Sequence, residues 1–299
     1  MKKKLLSILL LTALLTGCSA ETTVQPEREP ETLSTDAVLS TETTAMPISG
    51  LVYYITDHGT AAPSAVSSFA AQLQETGYTW ETGTITDIPA AQDTVAVLNT
   101  PTEDITQAEL DTLDSVLDAG GHVLLLLPSS EEPVRFKYME RLLEEYCIQL
   151  DYDLVTETDS SRTYNDNESF VFMEQISTPD GMFIAQAISD QPLYLRNARS
   201  FHFYYRDNYS AIKHDAMLES STSAVGTPCG GTQDDPETFK GEQLITMLYS
   251  RNDQRLNSSI VAVGSADFLL DTYYEEPTSE IMQTWIFAAV QWMACYYTN

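Results

Sequence analysis

The stretch TQAELDTLDSVLDAGGHVLLLL, residues 106–127, decides the predicted fold. It begins with a capping box, in which the Thr106 and Glu109 side chains each reach the other's backbone amide. Apolar residues then recur at helical spacing until Gly120 ends the helix. Residues 122–127 form the most hydrophobic strand of the chain. A run this apolar predicts a strand that is buried on both faces, at the centre of a sheet.

Strands and helices alternate on both sides of this stretch. The other predicted strands are residues 51–56, 78–85, 94–99 and 150–157, and the other predicted helices are residues 64–75 and 134–147. Strands that alternate with helices of this length favour parallel pairing. We therefore predict an α/β fold with a mostly parallel sheet flanked by helices, of the flavodoxin-like or glutamine-amidotransferase-like kind.

The second half of the chain has a weaker pattern. Residues 159–241 are rich in Asn, Asp, Ser and aromatic side chains without a strong period, which predicts an irregular β-rich insertion laid over the sheet. Residues 258–264 predict one more buried strand. Residues 279–296 predict a closing helix that packs on the domain and does not cross a membrane, because Glu280, Gln283 and Gln291 interrupt its apolar run.

The N-terminus has the features of a secretory signal. Three lysines precede a short apolar run, which ends in Leu15-Thr16-Gly17-Cys18. This ending resembles the bacterial lipobox, in which the cysteine thiol is acylated before cleavage. We predict a lipoprotein signal peptide over residues 1–17 and lipidation of Cys18, with acyl chains that hold the protein in a cell membrane on its extracytoplasmic face.

Residues 18–49 differ in composition from what precedes and follows them. They are rich in Thr, Glu and Pro, lack aromatic residues, and show neither a helical nor a strand period. Such a segment buries too little apolar surface to offset the entropy lost on ordering. We predict a flexible, lipid-anchored tether over 18–49 and a single extracytoplasmic α/β domain over 50–299.

The charge balance restricts the classes of partner. The chain carries 15 basic and 44 acidic residues, a formal net charge of −29. Nucleic-acid binding requires basic patches, so we expect no nucleic-acid partner. Direct adhesion of the domain to anionic lipid is disfavoured because the acidic domain would be repelled by it. Contact with the membrane is therefore expected through the acyl chains on Cys18.

Several short segments carry a family resemblance, namely residues 54–59, 110–128, 138–150, 198–200, 217–221, 259–269 and 290–294. In this order they are similar to the extracytoplasmic domain of the ABC-type uncharacterised transport system family, which includes gliding-motility ABC auxiliary proteins. The resemblance implies a non-enzymatic auxiliary or binding component of an ABC-type membrane transport assembly, with permease and ATPase subunits as partners. Ser265 departs from that family, which often has Asp at this position.

Two loops supply the candidate binding residues. Asp57, His58 and Gly59 follow the first predicted strand, and Ser265 and Asp267 follow the strand at 258–264. Open α/β sheets bind ligands at the carboxyl ends of their strands, so we predict that these residues form one ligand- or partner-binding surface. The alternative is that Asp57 and Asp267 only cap or tie their loops.

The sequence contains no recognisable motif of a catalytic site. Residues 127–131, after the most apolar strand, lack the glycines of a nucleophile elbow. No phosphate loop, dinucleotide fingerprint or metal-ligand spacing occurs, so we predict no catalytic residue, no cofactor and no metal. Two alternatives stay open. One is a lipid-anchored hydrolase on a glutamine-amidotransferase-like fold. The other is a free-standing glycan- or peptide-binding lipoprotein, whose groove would be lined by Tyr204, Tyr205, Tyr209, Tyr273 and Tyr274.

Overall fold

The computed structural model describes residues 50–182, 184, 188, 190–204, 210–230 and 239–295. The predicted signal peptide 1–17, the tether 18–49 and Cys18 lie outside these residues. The helices with described bounds are α1 (Ser67–Glu75), α2 (Gln107–Asp118), α3 (Lys137–Glu145) and α4 (Pro277–Cys295). The strands are β1 (Leu51–Ile55), β2 (Thr79–Gly83), β3 (Thr94–Asn99), β4 (His122–Leu126), β5 (Ile148–Leu150), β6 (Asp153–Glu157), β7 (Phe170–Ile176), β8 (Tyr194–Arg196), β9 (Phe201–Phe203), β10 (Ile212–Ser220), β11 (Ala224–Pro228), β12 (Phe239–Lys240), β13 (Ile245–Asn252) and β14 (Ser258–Val263).

The main sheet has eleven strands, nine of them in the order β2-β1-β3-β4-β14-β13-β10-β7-β8. The first five are parallel. From β14 onwards each neighbour is antiparallel. Strands β9 and β5 extend from β13 off this path, and β12, β11 and β6 form a separate small sheet. The strand β4, predicted from residues 122–127, lies in the interior of the main sheet.

The predicted fold class, a mostly parallel α/β sheet of the flavodoxin-like or glutamine-amidotransferase-like kind, is wrong. The protein is rich in strands, and its main sheet is mixed. The error lies in residues 159–241, whose segments β7, β8 and β10 add to the sheet as antiparallel neighbours instead of forming an irregular layer over it. Apolar patterns locate buried strands, but the direction in which they pair depends on contacts distant in sequence.

Apolar side chains cover both faces of the main sheet. Helices α1 and α4 pack on one face, where Phe69 and Trp285 are fully buried. Helices α2 and α3 pack on the other face through Leu113 and Leu142. Alternate residues of the parallel strands point to the two clusters, as the pleat requires. Among the helices that the structure describes, none combines the length and the apolar character that a bilayer crossing requires.

The parallel strands place their following loops at one edge of the sheet. The loop after β1 holds Asp57 and His58, and the loop after β14 holds Ser265 and Asp267. Strands β3 and β4 lie between β1 and β14. Neighbouring strands lie about 4.8 Å apart, so three intervals separate these loops by roughly 14 Å. The predicted binding residues therefore share an edge but form two separate sites.

Candidate functional site

The loop after β1 has a left-handed backbone. His58 has φ 60° and Gly59 has φ 66°. The carbonyl oxygen of His58 accepts hydrogen bonds from the backbone amides of Thr102 (2.8 Å) and Glu103 (3.2 Å). A Cβ atom on Gly59 would lie 1.8 Å from Thr102 Oγ1. Another residue at position 59 would displace the Thr102 side chain and strain the left-handed backbone, and the loop is held against the segment between β3 and α2.

The His58 ring is fixed in one orientation by the same segment. Its Nδ1 lies 3.0 Å from the carbonyl oxygen of Asp104. Because a carbonyl oxygen only accepts, Nδ1 carries the proton and donates it. The other ring nitrogen, Nε2, lies 3.1 Å from Glu109 Oε1 and 3.6 Å from Asp57 Oδ2. It is buried and has no hydrogen bond of good geometry with either. In neutral imidazole its lone pair would thus face two carboxylates, so three acceptor atoms converge here.

Glu109 is held in place by the capping box at the start of α2. Its Oε2 accepts hydrogen bonds from the backbone amide and the hydroxyl of Thr106, each at 2.7 Å. Burial opposes ionisation of Glu109, but the hydrogen bonds from Thr106 and the nearby His58 outweigh it and hold the pKa of Glu109 below its ordinary value. Oε1 is left to face His58.

Asp57 completes the group. Its Oδ2 accepts a hydrogen bond from the Ile85 backbone amide at 3.2 Å, while its buried Oδ1 has no hydrogen-bond partner. One ligand atom from each of Asp57, His58 and Glu109 lies within 4.8 Å of the other two. We call these three residues the β1-edge cluster. Its arrangement suits the binding of a cation or of a hydrogen-bond donor from a partner.

Ser265 and Asp267 form ties within the fold. The Ser265 hydroxyl donates to the carbonyl oxygen of Arg196 at 2.6 Å. Asp267 Oδ2 accepts from Asn197 Nδ2 at 2.8 Å and lies 3.5 Å from Arg196 Nε. Burial raises the pKa of Asp267, although Arg196 and Asn197 oppose this shift. Both side chains connect the end of β14 to the turn after β8. For Asp267 this tie within the loop is the alternative to ligand binding that the sequence left open.

The five predicted binding residues are thus not one site. Asp57, His58 and Gly59 belong to the β1-edge cluster and its loop, whereas Ser265 and Asp267 line a small hollow beside α4, together with Thr278 and Ser279. Glu109 was not predicted as a site residue. Its capping-box position was recognised from the sequence, but nothing in that motif indicates that α2 begins beside His58.

A Ser–His–Asp group elsewhere lacks catalytic geometry. His202 Nδ1 lies 2.5 Å from Asp151 Oδ2, and this hydrogen bond raises the pKa of His202 against the effect of burial. The buried Ser200 hydroxyl lies 2.8 Å from Asp153 Oδ2 and 3.1 Å from Asp151 Oδ2. A nucleophilic serine must instead give its proton to the histidine. Ser200 is oriented by two carboxylates and acts as a structural link.

The tyrosines of the predicted groove have different surroundings. Tyr204 is 38% exposed. Tyr273 lies under the guanidinium of Arg196, 4.3 Å from its ring centre. Tyr274 donates its hydroxyl proton to Gln72. Tyr205 and Tyr209 lie outside the described residues. The two tyrosines before α4 are therefore engaged in packing.

Comparison with known proteins places the chain in a family. Residues 58–278 match the family described as "Domain of unknown function (DUF4350)". The chain belongs to the DUF4350 family. The match begins at His58 and includes α2, which carries Glu109, and β14, which precedes Ser265 and Asp267. No curated protein sequence matches this DUF4350 chain.

Solved structures show the fold of this DUF4350 protein. It is similar to the mmIFT52 N-terminal domain, with a TM-score of 0.57 and 15% sequence identity over 82% of this chain and 98% of that one. At this identity the likeness concerns the fold alone. The exo-β-1,4-mannosidase Op5Man5 from Opitutaceae bacterium strain TAV5 has a TM-score of 0.40 and 13% identity over 82% of this chain and 36% of that one. Neither comparison bears on transport, so the resemblance to the ABC-type family stays a prediction.

Proposed function

We propose that this DUF4350 protein is a non-enzymatic binding component of an ABC-type membrane transport assembly. It is displayed as a lipoprotein on the extracytoplasmic face of a cell membrane, where acyl chains on Cys18 hold it. Two features of the sequence support this proposal: the lipobox-like ending Leu15-Thr16-Gly17-Cys18, and the family resemblance carried by residues 54–59 and 259–269.

The observation that carries the binding function is the β1-edge cluster. Polar atoms of Asp57 and His58 are buried there without hydrogen-bond partners, at the edge where open sheets bind ligands. A buried polar group without a partner costs about 1–3 kcal/mol. Such a cost is offset when a partner or ligand supplies the missing interaction. The cluster holds no Ser or Cys nucleophile, so binding suits its chemistry better than covalent turnover.

Replacement of Cys18 by alanine is expected to abolish acylation. The full-length wild-type chain should incorporate a palmitate analogue and be recovered with membranes, because two or more acyl chains anchor stably. Cys18→Ala should lose the label and be released or misprocessed. Cys229→Ser is the matched control, since it also removes one thiol but should keep both the label and the membrane location. Label that persists in Cys18→Ala would contradict the lipid anchor.

A further inference from the structure

We propose that Asp57, His58 and Glu109 bind one divalent transition-metal ion of the zinc type. The proposal rests on the proposed function in that it names a ligand for the same surface. The sequence predicted no metal, because no metal-ligand spacing occurs in it. Glu109 lies 51 positions after His58 in the chain, beyond the reach of such spacings. The fold brings the three side chains together by starting α2 beside the loop after β1.

The distances within the cluster fit tetrahedral coordination. Bonds of about 2.0–2.1 Å from zinc to nitrogen or oxygen place neighbouring ligands about 3.4 Å apart. His58 Nε2 lies 3.1 Å from Glu109 Oε1 and 3.6 Å from Asp57 Oδ2. These distances fall on either side of the ideal value. The Asp57 and Glu109 ligand atoms lie within 4.8 Å of each other, so a bound ion would draw the two carboxylates together.

Each side chain is also oriented by a hydrogen bond with a neighbouring protein group, as in protein metal sites. Histidine ligands donate their second ring N–H to a carbonyl or a carboxylate, which fixes the tautomer. His58 makes this contact with the carbonyl oxygen of Asp104 at 3.0 Å. Glu109 is held through Oε2 by Thr106, and Asp57 through Oδ2 by the Ile85 amide. This leaves Glu109 Oε1 and His58 Nε2 facing each other, whereas Asp57 Oδ2, which lies 3.6 Å from Nε2, keeps the Ile85 hydrogen bond and would bind the ion through a further lone pair.

Burial gives the second argument for a bound cation. The His58 side chain is 9% exposed, and its Nε2 has no hydrogen-bond partner. Asp57 Oδ1 is likewise buried without a partner. A cation would satisfy the imidazole lone pair and both carboxylates at once, whereas neutral imidazole alone leaves three acceptors facing one another.

The ligand set indicates the class of metal. Carboxylates alone suit Mg²⁺ or Ca²⁺, but imidazole suits zinc and its first-row neighbours. Three protein ligands leave the fourth tetrahedral position open. A water molecule, or a side chain of the membrane partner, would complete the coordination. The metal would then serve as a contact point for the partner.

The test is a titration of the full-length chain, purified in detergent and stripped with a chelator, with Zn²⁺ by calorimetry. Wild type is expected to bind one equivalent tightly and to melt at a higher temperature with Zn²⁺ than without it. His58→Ala and Glu109→Gln should each weaken this binding by about 100-fold or more, since even outer partners of a metal site contribute 10–100-fold. Glutamine at position 109 still supports the capping box, so the start of α2 should be preserved.

Asp111→Asn is the matched control, because it removes one negative charge from α2 outside the cluster. It should bind Zn²⁺ like wild type. Absence of a tight equivalent in wild type, or equal binding by Glu109→Gln and wild type, would overturn the metal site. No membrane partner is present in this titration. A negative result therefore overturns the metal alone, whereas the proposed function fails separately if no transport subunit associates with the chain.

Discussion

Gly264→Ala is expected to destabilise the protein by about 4 kcal/mol or more, the upper range for single substitutions. A Cβ atom at this position would lie 2.1 Å from the carbonyl oxygen of Arg199 and 3.0 Å from its carbonyl carbon. Both are backbone atoms, so no side-chain rotation relieves the contact. The strand end must separate from the Arg199 segment, with loss of the 2.9 Å hydrogen bond from Arg199 N to Gly264 O. Urea unfolding of both proteins measures the difference.

Gly241→Ala is the control for this substitution. Gly241 has φ +79°, but a Cβ atom there would meet nothing within 4 Å. Alanine should therefore cost only about 1–2 kcal/mol, the strain of the left-handed backbone. If Gly264→Ala is no more destabilising than Gly241→Ala, then β14 and the Arg199 segment are not in close contact. The positions of Ser265 and Asp267 would then need revision.

Acidification from pH 7 to pH 5 is expected to remove about 2 kcal/mol of stability through His122 alone. Burial lowers the pKa of His122 to about 3, whereas a histidine in the unfolded chain has a pKa of about 6.5. Between these values the unfolded chain binds the proton and the folded protein does not. Stability therefore falls as the pH drops below about 6.5, at up to about 1.4 kcal/mol per pH unit.

The double variant His122→Phe with Ser259→Ala isolates this contribution. The His122 ring and the Ser259 hydroxyl form a buried hydrogen bond of 2.8 Å, and removal of both partners leaves neither one unsatisfied. Other titrating groups are present in both proteins, so their effects cancel in the comparison. The variant should lose about 2 kcal/mol less than wild type between pH 7 and pH 5. An equal loss in both proteins would show that His122 titrates normally in the fold.

Local sequence patterns predicted the helix and the strand within residues 106–127 but not the arrangement of the whole sheet. The capping box of Thr106 and Glu109 is present, and α2 spans Gln107–Asp118. The apolar run after Gly121 is β4. These features depend on neighbours in sequence. The antiparallel half depends on pairings such as β10 with β13 and β13 with β14, which alternation and apolar content do not specify.

The candidate site shows the same limit. The position of Asp57, His58 and Gly59 at the end of β1 follows from a short strand and a turn. The contact between His58 and Glu109 depends on how α2 packs against the sheet. No motif or spacing in the sequence predicts this contact. Ser265 and Asp267 were placed at the correct edge, but the order β1-β3-β4-β14 separates them from His58. Their hydrogen bonds to Arg196 and Asn197 involve a turn that had no recognisable motif.

The central claim is that this protein acts by binding a membrane partner through the β1-edge cluster. Its most direct test is co-purification of the full-length chain from solubilised membranes, with a thermal melt of each variant beside it. An ABC-type permease or ATPase subunit should be recovered equally with wild type and Asp111→Asn. Recovery should fall at least about tenfold, or about 1.4 kcal/mol, with His58→Ala and Glu109→Gln, while their melting temperatures without Zn²⁺ should stay close to that of metal-free wild type. Recovery of no transport subunit, equal recovery with all four proteins, or hydrolysis of ester, amide or glycoside substrates that His58→Ala abolishes would contradict the account.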